Sequence, residues 1–320
     1  MSRPFLTLLL SIPLFLVFCA PSGAASGGMA KVLFVAGKMS HGFNNHEHHA
    51  GSRLLAKALR ESGLRIDAAV FYDKENPGWP SDDGWLAGVD AVVIYCDGGK
   101  RHLANGHLDT IDALSEKGVG VGCLHYAVET IEGEPGEAFL RWMGGYFQLG
   151  KSVNPHWLAD FKTLPDHPVA NGVQPFRIHD EWYFNMRFRE RMQGVTPILT
   201  AVPPTDVIPE KDHHHNSTPD ARAAVKRRDP QHLMWVSENA NGSRGFGFTG
   251  GHFHDNWQDD NFRKVVLNAI VWIARMEVPA SGVLSATPTE EQLLENQDYS
   301  VDMGRVRQSR YVDLRRGNLP

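Results

Sequence analysis

A loop near the start of the chain combines several histidines with a carboxylate. The protein has 16 histidines, and imidazole is the side chain best suited to metal binding or proton transfer near neutral pH. The loop follows an apolar run at 31–37, and its candidate groups are His41, His46, Glu47, His48 and His49. We expect at least His41 or His48 to contact a metal or a substrate. The alternative is a solvated loop in which one or two histidines cap the following helix.

A second candidate ends a short hydrophobic run. Residues 119–126 read VGVGCLHY, so His125 follows the apolar segment directly and precedes a predicted loop or helix. A sharp turn at this point would present its side chain to a ligand. The alternative is a buried histidine whose hydrogen bonds are satisfied within the core.

A third group of polar residues lies in a segment with strand-like alternation, 178–183. The alternation places His179 and Glu181 on one face, and Asp180 and Tyr183 in other directions. Two side chains on one face can join a common site. The alternative is an edge strand held by ion pairs.

The fourth candidate is His252, which follows two consecutive glycines. Gly250 and Gly251 allow the backbone to turn tightly and deliver His252 from a strand end. We expect His254, two residues later, to point the other way.

A run of three histidines and a set of three tryptophans could also bind ligands, but each has a simpler structural explanation. Consecutive side chains rarely converge on one ion, so the run at 213–215 is expected to be a solvated loop. Three tryptophans could stack on a sugar, although tryptophan is as often a core residue. They are Trp157, Trp182 and Trp257.

Apolar runs alternate with helical patterns through the first half of the chain. Predicted strands at 31–37, 66–72, 91–95 and 119–124 alternate with helices over 50–59, 108–117 and around 137–142. Such nearly continuous apolar strands indicate a parallel sheet covered on both faces, with α/β architecture. From residue 157 onward, shorter segments predict additional strands, several of them antiparallel, that extend or cap the sheet. Their expected positions are 158–162, 176–183, 196–201, 232–238 and 244–249, followed by a closing helix over 262–276.

Ligands of doubly wound sheets bind where the carboxyl ends of the strands meet. We therefore expect His41, His125, Glu181 and His252 to lie close together although they are far apart in sequence. Three neutral imidazoles and a carboxylate fit a transition metal, with Zn²⁺ the first choice. The alternative ligands, or partners that orient the ligands, are His46, His48, His179 and His254.

Composition restricts the class of partner. The chain has 320 residues, is 42% hydrophobic and 22% charged, and carries a formal net charge of −5 with its basic residues dispersed. It can bury a full core, and it lacks the basic patch that nucleic acid or anionic lipid would require. A small-molecule partner is favoured.

The first 25 residues are expected to be a signal peptide. An early positive charge precedes an apolar run at 5–18 that is short and interrupted by Pro13, and small residues follow it. We therefore expect an exported protein, periplasmic or extracellular, with no stable membrane insertion after processing. Cys19 raises lipidation as a minority alternative, against which Phe18 argues because such sites prefer a small residue there.

The four histidine and glycine motifs resemble those of the ThuA-like (trehalose utilisation) family, in the family's order. The resemblance covers about 31–275; we assign the domain to 31–278 and treat 279–320 as a C-terminal appendage. It implies a flavodoxin-like doubly wound fold similar to that of class I glutamine amidotransferases. In those enzymes a nucleophilic cysteine occupies the sharp turn, whereas His125 stands here. Cys123 lies two residues earlier and, like Cys96, is expected to be structural.

The resemblance also implies a carbohydrate-derived substrate, plausible examples being 3-keto sugars. Histidine, glutamate and a divalent ion are well suited to abstracting a proton next to a carbonyl, which would allow isomerisation, epimerisation, elimination or hydrolysis. The alternative is a non-catalytic sugar-binding or interaction domain. The expected catalytic residues are His125, Glu181 and Asp180. The expected substrate contacts are Tyr126, Trp157, Tyr183 and Trp257, and the expected metal ligands are His41, His48, His125 and His252.

Overall fold

The computed structural model describes residues 28–80 and 82–298. Twelve strands are described in this part of the chain. They are β1 (Ala30–Ala36), β2 (Ile66–Phe71), β3 (Ala91–Tyr95), β4 (Gly120–Leu124), β5 (Glu129–Thr130), β6 (Gly145–Gln148), β7 (His156–Phe161), β8 (Phe176–Glu181), β9 (Arg187–Phe188), β10 (Val195–Ala201), β11 (Gln231–Glu238) and β12 (Arg244–Phe248). The α-helices are α1 (His48–Glu61), α2 (Asp83–Leu86), α3 (Leu108–Glu116), α4 (Glu134–Met143), α5 (Pro219–Arg227), α6 (Asp260–Ile273) and α7 (Glu290–Leu294).

A seven-stranded sheet forms the centre of the protein, in the order β10-β11-β12-β4-β3-β1-β2. The pairs joining β2, β1, β3, β4 and β12 are parallel, and β11 pairs antiparallel with both β12 and β10. The predicted α/β fold, a mostly parallel doubly wound sheet with antiparallel strands in the second half, is confirmed.

The sheet is covered on both faces because its central strands are apolar on both faces. In β1, Phe34 packs in a core layer with Leu55 of α1 and Val266 of α6. Its neighbour Val35 belongs to the opposite layer, with Phe139 of α4. Successive side chains of a strand point to opposite faces, so a continuous apolar run contributes to the core on both faces of the sheet. The carboxyl ends of the parallel strands are left at one edge, where loops can build a site.

Two smaller sheets lie outside the central one. Strands β7 and β8 form an antiparallel pair, and β5, β6 and β9 form a three-stranded sheet. The predicted strands at 158–162 and 176–183 therefore exist as β7 and β8 but do not extend the main sheet. In this pair His156 lies opposite Glu181, at the end of β8.

The described part of the expected appendage packs against the domain. Val283 is fully buried, and its backbone N–H donates to Asn268 Oδ1 of α6 at 2.8 Å. Leu293 of α7 is 6% exposed. Residues 279–298 therefore complete the core beside α6. The expected signal peptide at 1–25 and the last part of the appendage, 299–320, lie outside the described residues; no helix within the described residues is long and apolar enough to cross a membrane.

Candidate metal centre

Four side chains from distant parts of the sequence converge on one point, and the atoms that meet there are His46 Nε2, His125 Nε2, Glu181 Oε2 and His252 Nδ1. The Nε2 atom of His46 lies 3.1 Å from Nε2 of His125 and 3.0 Å from Nδ1 of His252. Glu181 Oε2 lies 3.4 Å from His125 Nε2 and 3.1 Å from His252 Nδ1. We call these four residues the histidine cluster.

His125 enters the cluster from a strained turn. It directly follows β4 and begins a 3₁₀ turn, with φ of 52° in the left-handed region that non-glycine residues rarely adopt. Its Nδ1 lies 2.9 Å from the carbonyl oxygen of Thr249. A carbonyl can only accept, so Nδ1 carries the proton and the lone pair is on Nε2, inside the cluster.

His46 is oriented by a chain of polar groups from the neighbouring loop. Its Nδ1 lies 3.3 Å from Ser40 Oγ, which donates to Asp97, and 3.6 Å from Asp97 Oδ1. Arg101 pairs with the other oxygen of Asp97 at 3.0 Å. The Nδ1 proton is therefore directed away from the cluster and Nε2 presents its lone pair. Carboxylates orient metal-binding histidines in this manner.

Asp180 holds the backbone that carries His252. Its two carboxylate oxygens accept hydrogen bonds from the N–H groups of Gly251 at 2.7 Å and His252 at 3.0 Å. They also accept from the N–H of Glu181 at 2.8 Å and from Asn256 Nδ2 at 3.0 Å. Gly251 has φ of 106°, a conformation that favours glycine. Asp180 was expected to be catalytic, but all four of these bonds fix position and none of its atoms joins the histidine cluster.

Glu181 is ionised in this environment. Its Oε1 accepts from Asn154 Nδ2 at 3.1 Å and lies 3.4 Å from His156 Nε2, which leaves Oε2 for the cluster. Burial alone would raise the pKa of Glu181, but His252, His125 and His156 outweigh burial and hold it well below its usual range. The cluster therefore includes one negative oxygen.

Burial favours the neutral form that a metal ligand requires at two of the imidazoles, those of His46 and His252. Burial, reinforced by the surrounding histidines, lowers the pKa of His46 well below its usual value. Burial also lowers the pKa of His252, although Glu181 opposes this effect. The lowered pKa values of His46 and His252 favour a bound cation over protonation at these two residues.

The spacing of the cluster fits a single bound ion. Neighbouring ligand atoms lie 3.0 to 3.4 Å apart and all four lie within 4.8 Å of one another, separations that metal–ligand bonds of about 2.0–2.2 Å can span. His125 and His46 also face each other through nitrogens whose protons lie on the far side of each ring. Two such lone pairs at 3.1 Å repel each other unless a cation lies between them. The residues therefore fit a zinc-like ion.

The structure brings together three of the expected cluster residues, His125, Glu181 and His252, and replaces His41 with His46. His41 is exposed, and its ring lies 3.7 Å from that of His46 between centroids, tilted by 35°. His48, also an expected ligand, is buried beside Tyr95, and its Nδ1 lies 3.0 Å from the carbonyl oxygen of Lys38. The alternative ligands His179 and His254 supply no atom to the four.

The expected substrate contacts divide into two kinds. Tyr183 places its hydroxyl 3.2 Å from His125 Nε2, and the ring of Tyr126 lies 5.6 Å from that of His46. Trp157 is 3% exposed and Trp257 is fully buried, so both belong to the core and offer no stacking surface to a sugar. Sequence reasoning missed Asn154, whose amide reaches Glu181.

Replacing both buried cysteines by alanine should cost stability and spare the metal site. Burial raises the pKa of Cys96 to about 12 and that of Cys123 well above its usual value, so neither is a reactive thiolate. Each truncation removes a buried sulfur, and we expect the pair to lower the free energy of unfolding by about 2–4 kcal/mol. Urea denaturation and metal analysis of C96A/C123A would check this. A variant that folds but loses its ion would contradict a purely structural role.

Comparison with known proteins agrees with this architecture. A ThuA-like protein from Bacteroides uniformis superimposes with a TM-score of 0.53 at 15% identity, covering 79% of this chain and 95% of that one. A ThuA-like protein from Parabacteroides merdae gives 0.52 at 17% identity, covering 84% and 99%. A glutamine amidotransferase from Thermotoga maritima gives 0.43 at 8% identity, covering 77% and 98%.

No curated protein matches the sequence significantly. The sequence model of one family, described as ThuA, trehalose utilisation, matches residues 31–273. This range contains every member of the histidine cluster and, apart from Ala30 at the start of β1, all strands of the central sheet. The chain therefore belongs to the ThuA family of proteins related to carbohydrate metabolism.

Proposed function

We propose that the protein is a metal-dependent enzyme that moves a proton next to a carbonyl group of a sugar-derived substrate, with 3-keto sugars as the first class to test. The observation that carries this proposal is the convergence of three imidazoles and one carboxylate within 4.8 Å of one another. Membership of the ThuA family supports a carbohydrate as substrate. The export expected from the first 25 residues would place the reaction outside the cytoplasm.

The histidine cluster supplies one half of such chemistry. A divalent ion held by these residues, with a further coordination position open to the substrate, would polarise a carbonyl oxygen and so acidify the adjacent carbon. The chain itself orients the ligands through Asp97, Thr249 and Asp180, as described above, and keeps Glu181 charged. Preorganised groups of this kind avoid the energetic cost of rearrangement during the reaction.

The rim of the cluster suits a polar, hydroxylated molecule. Tyr126 is half-buried beside the cluster, and the side chain of His156 is 37% exposed next to Glu181. The exposed imidazole of His41 contacts the ring of His46. These donors and acceptors would bind sugar hydroxyl groups, whereas an apolar ligand would leave them without partners.

Glutaminase activity is disfavoured by the same geometry. The turn after β4 carries His125, which is fully buried and oriented by Thr249. Cys123 is fully buried within the strand. A thiol nucleophile would have to be accessible and to have a lowered pKa.

Metal analysis and proton exchange test the proposal directly. Purified protein should retain about one transition-metal ion per chain, measured by mass spectrometry of the elements. In D₂O it should exchange carbon-bound hydrogens of 3-keto-trehalose next to the carbonyl, followed by ¹H NMR, at a rate well above that of protein stripped with a chelator. Binding of the sugar without exchange or turnover would favour a non-catalytic sugar-binding domain.

A further inference from the structure

A second polar pair lies beside the histidine cluster and contributes no atom to it. His215 Nε2 lies 3.3 Å from Glu129 Oε1, and the side chains are 26% and 5% exposed. Glu129 belongs to β5, which follows the turn at His125, and His215 comes from the run at 213–215 that was expected to be wholly solvated. His213 and His214 are exposed, as expected, whereas His215 is partly buried.

Packing connects this pair to the cluster. The ring of Tyr183 lies 4.8 Å from that of His125 and 5.3 Å from that of Phe147, measured between centroids. Phe147 in turn lies 5.8 Å from the ring of His215. The rings therefore form a continuous row from the cluster to His215.

Asn154 makes a second connection, through hydrogen bonds. Its backbone N–H donates to the carbonyl oxygen of His215 at 3.0 Å, while its side chain donates to Glu181 Oε1 at 3.1 Å. One residue thus fixes the loop of His215 relative to a cluster carboxylate.

The proposed reaction needs a base outside the cluster. The four cluster atoms use their lone pairs to hold an ion, and a lone pair in a coordinate bond cannot also accept a proton. Any enzyme that moves a proton on a bound sugar must therefore use another group. The Glu129–His215 pair contributes no atom to the cluster, and Asn154 fixes its loop relative to Glu181, so the pair is available for this role.

We propose that His215 is the base that removes the carbon-bound proton, and that Glu129 is a positioning residue that orients it. This inference rests on the proposed function. The Nε2–H of His215 donates to the Glu129 carboxylate, so Nδ1 carries the lone pair, in the same way that a buried carboxylate fixes the tautomer of a catalytic histidine elsewhere. A solvated histidine would lack this fixed orientation.

The proton transfers balance within the pair and the substrate. His215 Nδ1 takes the proton from the carbon beside the carbonyl, the C–H electron pair becomes a C=C bond, and the carbonyl π pair moves to oxygen to give an enediolate. The imidazolium then returns the proton to a carbon atom, giving an isomer or epimer, or to a departing glycosidic oxygen in an elimination. No oxidant or reductant is required.

The electrostatics of the pair agree with this role. The hydrogen bond to Glu129 raises the pKa of His215, burial opposes the shift, and the charges of Glu129 and Glu181 reinforce it. The imidazolium formed after proton abstraction is therefore stabilised where it forms.

The test compares H215Q and E129Q with the control H214A, which changes an exposed histidine of the same loop. We expect H215Q to exchange carbon-bound hydrogen of 3-keto-trehalose at least 100-fold more slowly than the wild type, in line with the usual contribution of a general base, with unchanged metal content. E129Q should also be slower. In E129Q the NMR titration of His215 should move to lower pH, a change that a structural defect elsewhere would not produce.

The outcomes separate this assignment from the proposed function. If the wild type exchanges hydrogen and H215Q does so at the same rate, His215 is not the base, and the proposed function is unaffected. Loss of metal from a folded H215Q would show instead that His215 supports the ion. If H215Q does not fold, the test rests on E129Q. An exchange rate and a His215 titration that both match the wild type would show that Glu129 does not orient His215 for catalysis. Metal-loaded wild type that exchanges no 3-keto sugar would overturn both proposals.

Discussion

Replacing His252 by alanine is expected to lower the affinity of the protein for a divalent ion by more than about 100-fold. The imidazole supplies one of four converging atoms, with Nδ1 3.0 Å from His46 Nε2 and 3.1 Å from Glu181 Oε2. Changes to residues that merely orient metal ligands already cost 10–100-fold in affinity, so loss of a ligand should cost more. Dialysis followed by elemental mass spectrometry, and calorimetric titration with Zn²⁺, would measure the change.

Two histidine variants serve as controls for H252A. H214A alters an exposed imidazole outside the cluster and should keep the ion. H48A is more demanding, because His48 is buried nearby and was an expected ligand, yet its Nδ1 lies 3.0 Å from a backbone carbonyl. We expect H48A to lose stability and retain metal. If H252A bound Zn²⁺ as tightly as the wild type, the cluster would not be a metal site.

Replacing Asp180 by alanine should lower the free energy of unfolding by about 3–5 kcal/mol. The carboxylate is fully buried, and its removal leaves the N–H groups of Gly251 and His252 and the amide of Asn256 without their acceptor. Each unsatisfied buried donor costs about 1–3 kcal/mol. Urea denaturation of metal-free protein would measure the loss. The variant should also bind metal weakly, since the backbone that presents His252 is no longer fixed.

Two further variants test whether the loss of stability in D180A is specific to this carboxylate. D67A removes an exposed carboxylate on β2 and should change stability by less than about 0.5 kcal/mol. D180N keeps the size of the side chain and one acceptor oxygen, so we expect its loss of stability to lie between those of the wild type and D180A. It replaces D180A in the test if D180A does not fold. Equal stability of D180N, D180A and the wild type would show that Asp180 does not hold the turn.

Hydrophobic pattern predicted the strands of the central sheet closely, including the antiparallel strands of the second half. The helix α5 was missed although a signal was present. Thr218 caps its first turn by accepting from the N–H of Ala221, and Pro219 occupies the first helical position, which are ordinary marks of a helix start. The residues that follow are few in number and mostly polar, without a wide apolar face, so the hydrophobic pattern did not predict this helix.

The choice among the histidines of the first loop could not be made from sequence. His46 has φ of 51°, and this unusual backbone conformation turns its ring into the cluster while His41 and His48 point elsewhere. All three are histidines of the same loop, so only the three-dimensional course of the loop distinguishes them. Strand alternation did place Asp180 and Glu181 in different directions, but it could not reveal that Asp180 holds a backbone turn.

Because the cluster residues are widely separated in sequence, a bound ion would be a cross-link that exists only in the native state. His46 and His252 are 206 positions apart, and an unfolded chain would have to close very long loops to present the same four atoms. By mass action, an ion at 100 times its dissociation constant would add about 2.7 kcal/mol to the apparent stability. If the cluster binds an ion as proposed, buffer composition would become part of the folding equilibrium, and zinc or a chelator would shift the melting temperature as much as a core substitution does.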